Sequence, residues 1–271
     1  MIQLPTERSV VENYNPKLMV IFGKPKSGKS SFVAAIDDNL IIDLEDGYRA
    51  LSVMKVQART AKDMQEIRDA IIAKGKELHK APYKYITIDN ATRLEEMSVA
   101  LAAELYRATP MGASWGYVTD AKNMIAKDSK TGKPIVNPKA DVRQLANGAG
   151  WLYMRKAIRQ LIDMFKPLCE TLILVCHVKD KQIKKNGEEM SEMAVDLAGK
   201  TGDIICGEAD AVGYLYRDGN KTYISFEGGD NTIREARPIH LRGKKILVAE
   251  SNENNEVKFD TSKIFINNQS L

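Results

Sequence analysis

A chain of 271 residues with 44% apolar and 28% charged side chains can bury a substantial core, which excludes a disordered or fibrous protein and leaves one large α/β domain or two small ones. Its 40 basic and 36 acidic residues give a net charge of +4, too slight to mark a polyanion-binding surface unless the charge clusters locally. The longest apolar runs, such as Leu172 to Cys176, are strand-sized and too short to cross a bilayer. No stretch before Asn15 resembles a signal-peptide core. Cys169, Cys176 and Cys206 lack metal-ligand spacing. A cytoplasmic protein with reduced core thiols and no membrane association is expected.

Residues 1–16 are polar, carry Pro5 and Pro16, and read as an N-terminal arm. The apolar run Leu18-Met19-Val20-Ile21-Phe22 then leads into Gly23-Lys24-Pro25-Lys26-Ser27-Gly28-Lys29-Ser30, and Ser31-Phe32-Val33-Ala34 follows as the start of a helix. Strand, glycine-bounded loop and helix stand in the order of a P-loop, with the full Gly, four residues, Gly-Lys-Ser spacing. The two glycines allow a turn tight enough for successive N–H groups to surround phosphates, at the positive end of the helix dipole. Lys29 can reach the β- and γ-phosphates of a nucleotide, and the Ser30 hydroxyl can ligate Mg²⁺.

Leu40 to Glu45 is apolar and then acidic, the look of a buried parallel strand whose end opens on a site. Residues 61–79 place Met64, Ile67, Ile71, Ile72 and Leu78 at largely helical spacing, and this crossover helix delivers the chain to a second strand ending at Asp89. A helix over about 92–107 follows. Residues 108–150, punctuated by Gly112, Gly116, Gly132 and Gly148 and enriched in lysine, are too long for a simple connection and predict a surface insertion. A helix over about 151–168 should bury Leu152, Ile158, Leu161, Ile162 and Phe165. It feeds the strand Thr171 to Cys176, which is expected to end at His177, and a polar stretch over 178–202 follows. Asp218-Gly219-Asn220 between two alternating runs is a strong hairpin signal. Ile246 to Ala249 adds another strand, and residues 251–271 read as a poorly specified tail.

In an open parallel sheet, ligands sit outside the carboxyl ends of the strands, so Glu45, Asp89 and His177 are expected to converge on the P-loop. Asp89 is the natural Mg²⁺ carboxylate, or a helix cap. Glu45 could orient and deprotonate an attacking water; Asp43 and Asp46 are its rivals. His177 is either a structural histidine or a sensor of the γ-phosphate.

The Walker A loop from Gly23 to Ser30, Ile42-Asp43-Leu44-Glu45, the Walker B strand Ile86-Thr87-Ile88-Asp89 and Val175-Cys176-His177 together resemble the RecA-type ATPase core. The resemblance is greatest to AAA-type ATP-binding phage proteins of the single-strand-annealing RecA-core family. It covers about residues 17–230. It implies a RecA-like P-loop NTPase, a mainly parallel central sheet flanked by helices with a C-terminal antiparallel extension, over 17–250. It also implies ATP and Mg²⁺ as cofactors, Glu45 as catalytic carboxylate, His177 where some relatives carry glutamine, and two DNA-facing loops over about 108–150 and 178–202. Single-stranded DNA, a homo-oligomeric ring or filament, and a single-strand-binding or other recombination protein are the implied partners. Lys179, Lys181, Lys184 and Lys185 would then contact DNA phosphates, unless they are only a solvated charge run. Arg217 or Lys221 would complete a neighbouring subunit's site. The competing reading is a nucleotide-dependent assembly switch with a protein partner docked on the long loop.

Overall fold

A computed structural model describes residues 6–7, 13–185, 188–229, 232–254 and 256–266; for residues 183–185 and 188–190 only the backbone is described. In chain order the elements are β1 (Leu18–Gly23), α1 (Lys29–Ala34), β2 (Asn39–Asp43), β3 (Met54–Gln57), α2 (Ala61–Leu78), β4 (Tyr85–Asp89), α3 (Ala91–Arg107), α4 (Ala149–Asp163), β5 (Thr171–Lys185), β6 (Glu188–Val195), α5 (Thr201–Glu208), β7 (Ala211–Asp218), β8 (Lys221–Ser225), β9 (Glu235–Ala236), β10 (Lys245–Ser251) and β11 (Val257–Phe259). One sheet runs β11-β10-β8-β7-β1-β5-β4-β2-β3. From β7 to β3 all neighbours are parallel, and from β7 to β11 all are antiparallel. This is the fold class the sequence predicts. No described helix is long and apolar enough to cross a membrane.

Strand alternation divides the core in two. Leu18, Val20 and Phe22 of β1 pack, with Ile86 and Ile88 of β4, against α2, α3 and α4. Met19 and Ile21 face the other way, toward α1 and the C-terminal segment. The helices earn their places by sequence: Met64, Ile67 and Ile71 form the buried stripe of α2, whose start is fixed by a capping box between Thr60 and Asp63. In α4 the buried stripe is Met154, Ala157, Ile158, Leu161 and Ile162. That pattern turns Leu152, expected in the core, out to solvent at 45% exposure.

Two expectations are corrected, the end of β5 with the loop after it and the tail. β5 does not end at His177 but continues to Lys185 and pairs antiparallel with β6, so the expected loop over 178–202 is largely a hairpin leading into α5. In the backbone register Lys181, Lys184 and Lys185 stand opposite Glu192, Glu189 and Glu188. The tail is not unspecified: β11 pairs with β10, Ile264 and Phe265 are buried, and the Phe265 ring lies 4.6 Å from that of Tyr85. The physical reason is that α1, with only six residues, cannot cover its face of the sheet alone. At the arm's end, Asn15 ties the chain to this segment through hydrogen bonds with both backbone groups of Ile266. The insertion over 108–150 is anchored to the core at several points. Trp115 packs edge-on to Tyr106 at 5.5 Å, isolated bridges join Tyr117 to Val136 and Lys127 to Pro134, and Val142 is fully buried. β3, an edge strand the sequence did not reveal, closes the parallel side.

Candidate functional site

The loop after β1 is shaped by what surrounds it. A β-carbon on Gly23 would lie 2.3 Å from the Leu215 carbonyl oxygen, and Gly28 has a φ of +103°, so both positions require glycine. The Lys29 ammonium is buried and donates to the carbonyls of Gly23 (2.8 Å) and Lys24 (2.9 Å). Burial lowers its pKa, and nearby Asp89 and Glu45 partly offset this. Pro25, Lys26, Gly28, Ser30 and Ser31 line a cavity of about 270 Å³ with Lys29. Lys24 contributes its carbonyl. The buried Ser27 hydroxyl has no partner among the described residues.

Opposite the loop, the strand order sets β5 between β1 and β4, which leaves the tip of β4 across the cavity from Ser30. Ser30 Oγ donates to Asp89 Oδ2 at 3.1 Å, and the buried Tyr48 hydroxyl donates to the same oxygen. Burial pushes the Asp89 carboxyl up, while the Tyr48 and Ser30 hydrogen bonds pull it back. Burial and the Asp89 charge also hold the Tyr48 hydroxyl far above its ordinary range. Tyr48 is a site residue the sequence reading missed. Its only signal was an aromatic residue immediately after the Asp46-Gly47 turn.

The three carboxylates after β2 separate by role. Asp43 Oδ1 accepts the backbone N–H groups of Glu45, Asp46 and Gly47 at 3.1, 2.7 and 3.2 Å, locking the turn. Asp46 is held by Arg49 and by Gln57 at 2.7 Å. Glu45 is exposed, lines the cavity, and has no side-chain hydrogen bond among the described residues. The turn that uses Asp43 thus presents Glu45.

His177 stands opposite Gly23 in the β1–β5 register, mid-strand rather than at a strand end. Asn90 caps α3 by accepting the Arg93 N–H at 3.0 Å, which assigns its Oδ1 as acceptor and its Nδ2 as donor. The Nδ2 to His177 Nε2 distance is 3.2 Å, a geometry in which Nε2 accepts. The buried Nδ1 has no partner among the described residues.

The remaining candidates were expected at DNA or at a neighbouring subunit's site. Arg217, anticipated as a donor to a neighbouring subunit, lines the cavity of its own chain, because β7 runs parallel beside β1. Lys221 does not line it. Lys179 donates to the Leu197 carbonyl and lies 3.7 Å from Asp196. Lys181 is paired with Asp203 at 2.8 Å. The side chains of Lys184 and Lys185 lie outside the described residues. A different cluster emerges on β7 and β8. The Tyr214 and Tyr216 rings are 5.3 Å apart and near-parallel, those of Tyr216 and Tyr223 5.8 Å. Lys245 Nζ lies 4.2 Å from the Tyr223 centroid and the Arg234 guanidinium 6.0 Å from that of Tyr214. The row abuts Phe22, one residue before the P-loop. It was readable in principle from the alternation of Tyr214 and Tyr216 and the hairpin register that sets Tyr223 opposite.

The residues fit a nucleotide with its metal. The glycines leave the loop backbone open, one ammonium is held at the cavity floor, and a hydroxyl and a carboxylate suited to Mg²⁺ lie within 3.1 Å of each other. A family model described as an AAA domain matches residues 15–121 and 115–237. No curated protein matches. Among solved structures, the KaiC-like protein PH0186 from the hyperthermophilic archaeon Pyrococcus horikoshii OT3 is similar over 91% of each chain, at 13% identity and a TM-score of 0.45. By the extent of the family match over a chain with this loop, the protein belongs to the AAA domain family and carries a P-loop NTPase core.

Proposed function

We propose that the protein is a Mg²⁺-dependent ATPase that converts ATP to ADP and phosphate and acts on single-stranded DNA in phage-type recombination or strand annealing. The observation that carries the hydrolytic part is the division of labour after β2. Asp43 and Asp46 are consumed by local hydrogen bonds, whereas Glu45 faces the cavity with its carboxylate free. In this reading the loop N–H groups and Lys29 bind the phosphates, and Glu45 takes a proton from the attacking water. His177, tied to Asn90, stands between loop and carboxylate. Ser30 and Asp89 would hold the Mg²⁺, whose chemistry is to neutralise charge on the phosphate oxygens.

The DNA part is supported by the tyrosine row with its two cations, since aromatic planes interleaved with positive charge suit unstacked bases. It is supported less by the basic run, because Lys179 and Lys181 would first have to leave Asp196 and Asp203. A homo-oligomeric ring or filament in the cytoplasm, working beside a single-strand-binding or other recombination protein, belongs to the same reading through the family resemblance. One observation favours the alternative of an assembly switch: the insertion exposes Met111, Met124 and Val136 at 85, 65 and 49%, a surface suited to a protein partner.

ATP turnover with and without single-stranded DNA tests both. Stimulation by DNA that disappears in Tyr216→Ala is expected. Glu45→Gln should bind ATP and turn over about 10²- to 10⁴-fold more slowly, and Lys29→Ala should lose binding. Turnover indifferent to DNA would favour the switch, and wild-type turnover in Glu45→Gln would reject the assigned base.

A further inference from the structure

The arginine beside the phosphate loop belongs to the same chain as the loop. Phe22 is opposite Tyr214 in the parallel register. Three residues further along, about 10 Å of strand, Arg217 stands level with the turn that opens after Gly23. A β-carbon built on Gly28 would lie 3.7 Å from Arg217 Nη2 and 3.9 Å from Nε. The placement has a firm base. Asp218 pairs with Lys221 across the tight hairpin turn immediately beyond, and the Phe259 ring of β11 approaches the same Gly28 position at 3.5 Å.

Charge adds a second, independent observation. Arg49, Arg93, Arg143, Arg159 and Arg237 each pair with a carboxylate. Arg217, among the described residues, has neither ion pair nor hydrogen bond, although it lines a cavity that also contains Asp43, Glu45 and Asp89. Those carboxylates belong to the far flank: Asp43 ends β2 and Asp89 ends β4, on the other side of β1 and β5. Lys29 meanwhile commits two of its three N–H donors to loop carbonyls, so one lysine leaves much of a polyphosphate's charge unmatched.

We propose that Arg217 is a phosphate-binding residue acting within its own chain, its planar guanidinium donating paired hydrogen bonds to the phosphate oxygens of a nucleoside triphosphate held by the Gly23–Ser30 loop. The proposal rests on the nucleotide reading above and adds a cation from the β7 flank, opposite the one that carries Glu45. Arg217 is thereby removed from the role of a residue lent to a neighbour.

The test measures binding of a fluorescent ATP analogue to the dilute full-length chain, then turnover in mixtures. Charge-assisted bonds of this kind correspond to a roughly ten- to hundredfold weaker affinity in Arg217→Ala, with partial recovery in Arg217→Lys and an unchanged melting temperature for both, since the side chain is exposed. Mixing Arg217→Ala with Lys29→Ala subunits should restore no turnover, because each site needs both residues on one chain. Affinity within twofold of wild type in Arg217→Ala overturns this proposal alone, as does restored turnover in the mixture. A wild-type chain that binds no nucleotide overturns it together with the ATPase reading.

Discussion

The two halves of the sheet solve different problems. On the parallel side, β2, β4 and β5 are joined through crossovers, and each brings to one edge a residue that is costly to hold there: Asp43 fully buried, Asp89 buried and raised in pKa, His177 with an unpartnered ring nitrogen. On the antiparallel side, β7, β8, β10 and β11 are built by local turns, and their buried residues are mostly apolar, Leu215, Ile224, Phe226 and Val248 among them, with uncharged Thr222 and Ser225 beside them. The contrast teaches that buried polar and charged groups are concentrated at the edge beside the P-loop, while the neighbouring half supplies packing that keeps the seam at β1 and β7 closed.

That contrast can be broken experimentally, beginning with the brace. Phe226 is completely buried, so Phe226→Ala should cost about 3–5 kcal/mol in urea unfolding. Because both halves share one sheet, the loss should shift a single cooperative transition; two separate transitions would show that the halves unfold independently. A smaller effect is expected at the seam. Gly23→Ala forces a methyl against the Leu215 carbonyl and should cost about 1–3 kcal/mol, with nucleotide affinity falling alongside stability because loop and seam share this residue. An unchanged urea midpoint would mean that β1 and β7 can part freely. The smallest change sharpens the chemical side. Tyr48→Phe removes one donor to Asp89, and a stability loss of about 1 kcal/mol is expected, together with weaker Mg²⁺ dependence of nucleotide binding. Wild-type behaviour on both counts would show that Ser30 alone positions the carboxylate.

The parallel half was the more legible in sequence, for a physical reason. Buried parallel strands are continuous apolar runs, and a P-loop has invariant spacing, so β1, α1, β2 and β4 could be placed from residues alone, as could the turn at Gly219. What escaped depends on pairing at a distance. β3 has four mostly exposed residues and exists only because β2 offers an edge. The length of β5 was hidden because a lysine-rich run reads as solvated until Glu188, Glu189 and Glu192 are set opposite it. Arg217 was expected at a neighbour's site, and its place beside the cavity of its own chain was hidden because no sequence pattern states that β7 lies beside β1. Tyr48 and Phe259 reach the site by folding back across it, which periodicity does not record.

β5 has a mechanical consequence. It is one unbroken strand from the centre of the sheet to Lys185, and His177 sits where the parallel pairing stops and the hairpin begins. The eight residues beyond His177 extend about 26 Å at ordinary strand rise, so the hairpin is a lever with its fulcrum opposite Gly23 of the P-loop. A tilt of about 5° at that fulcrum would swing the far end by about 2 Å by this geometry, a displacement produced with no hinge and no melting of structure.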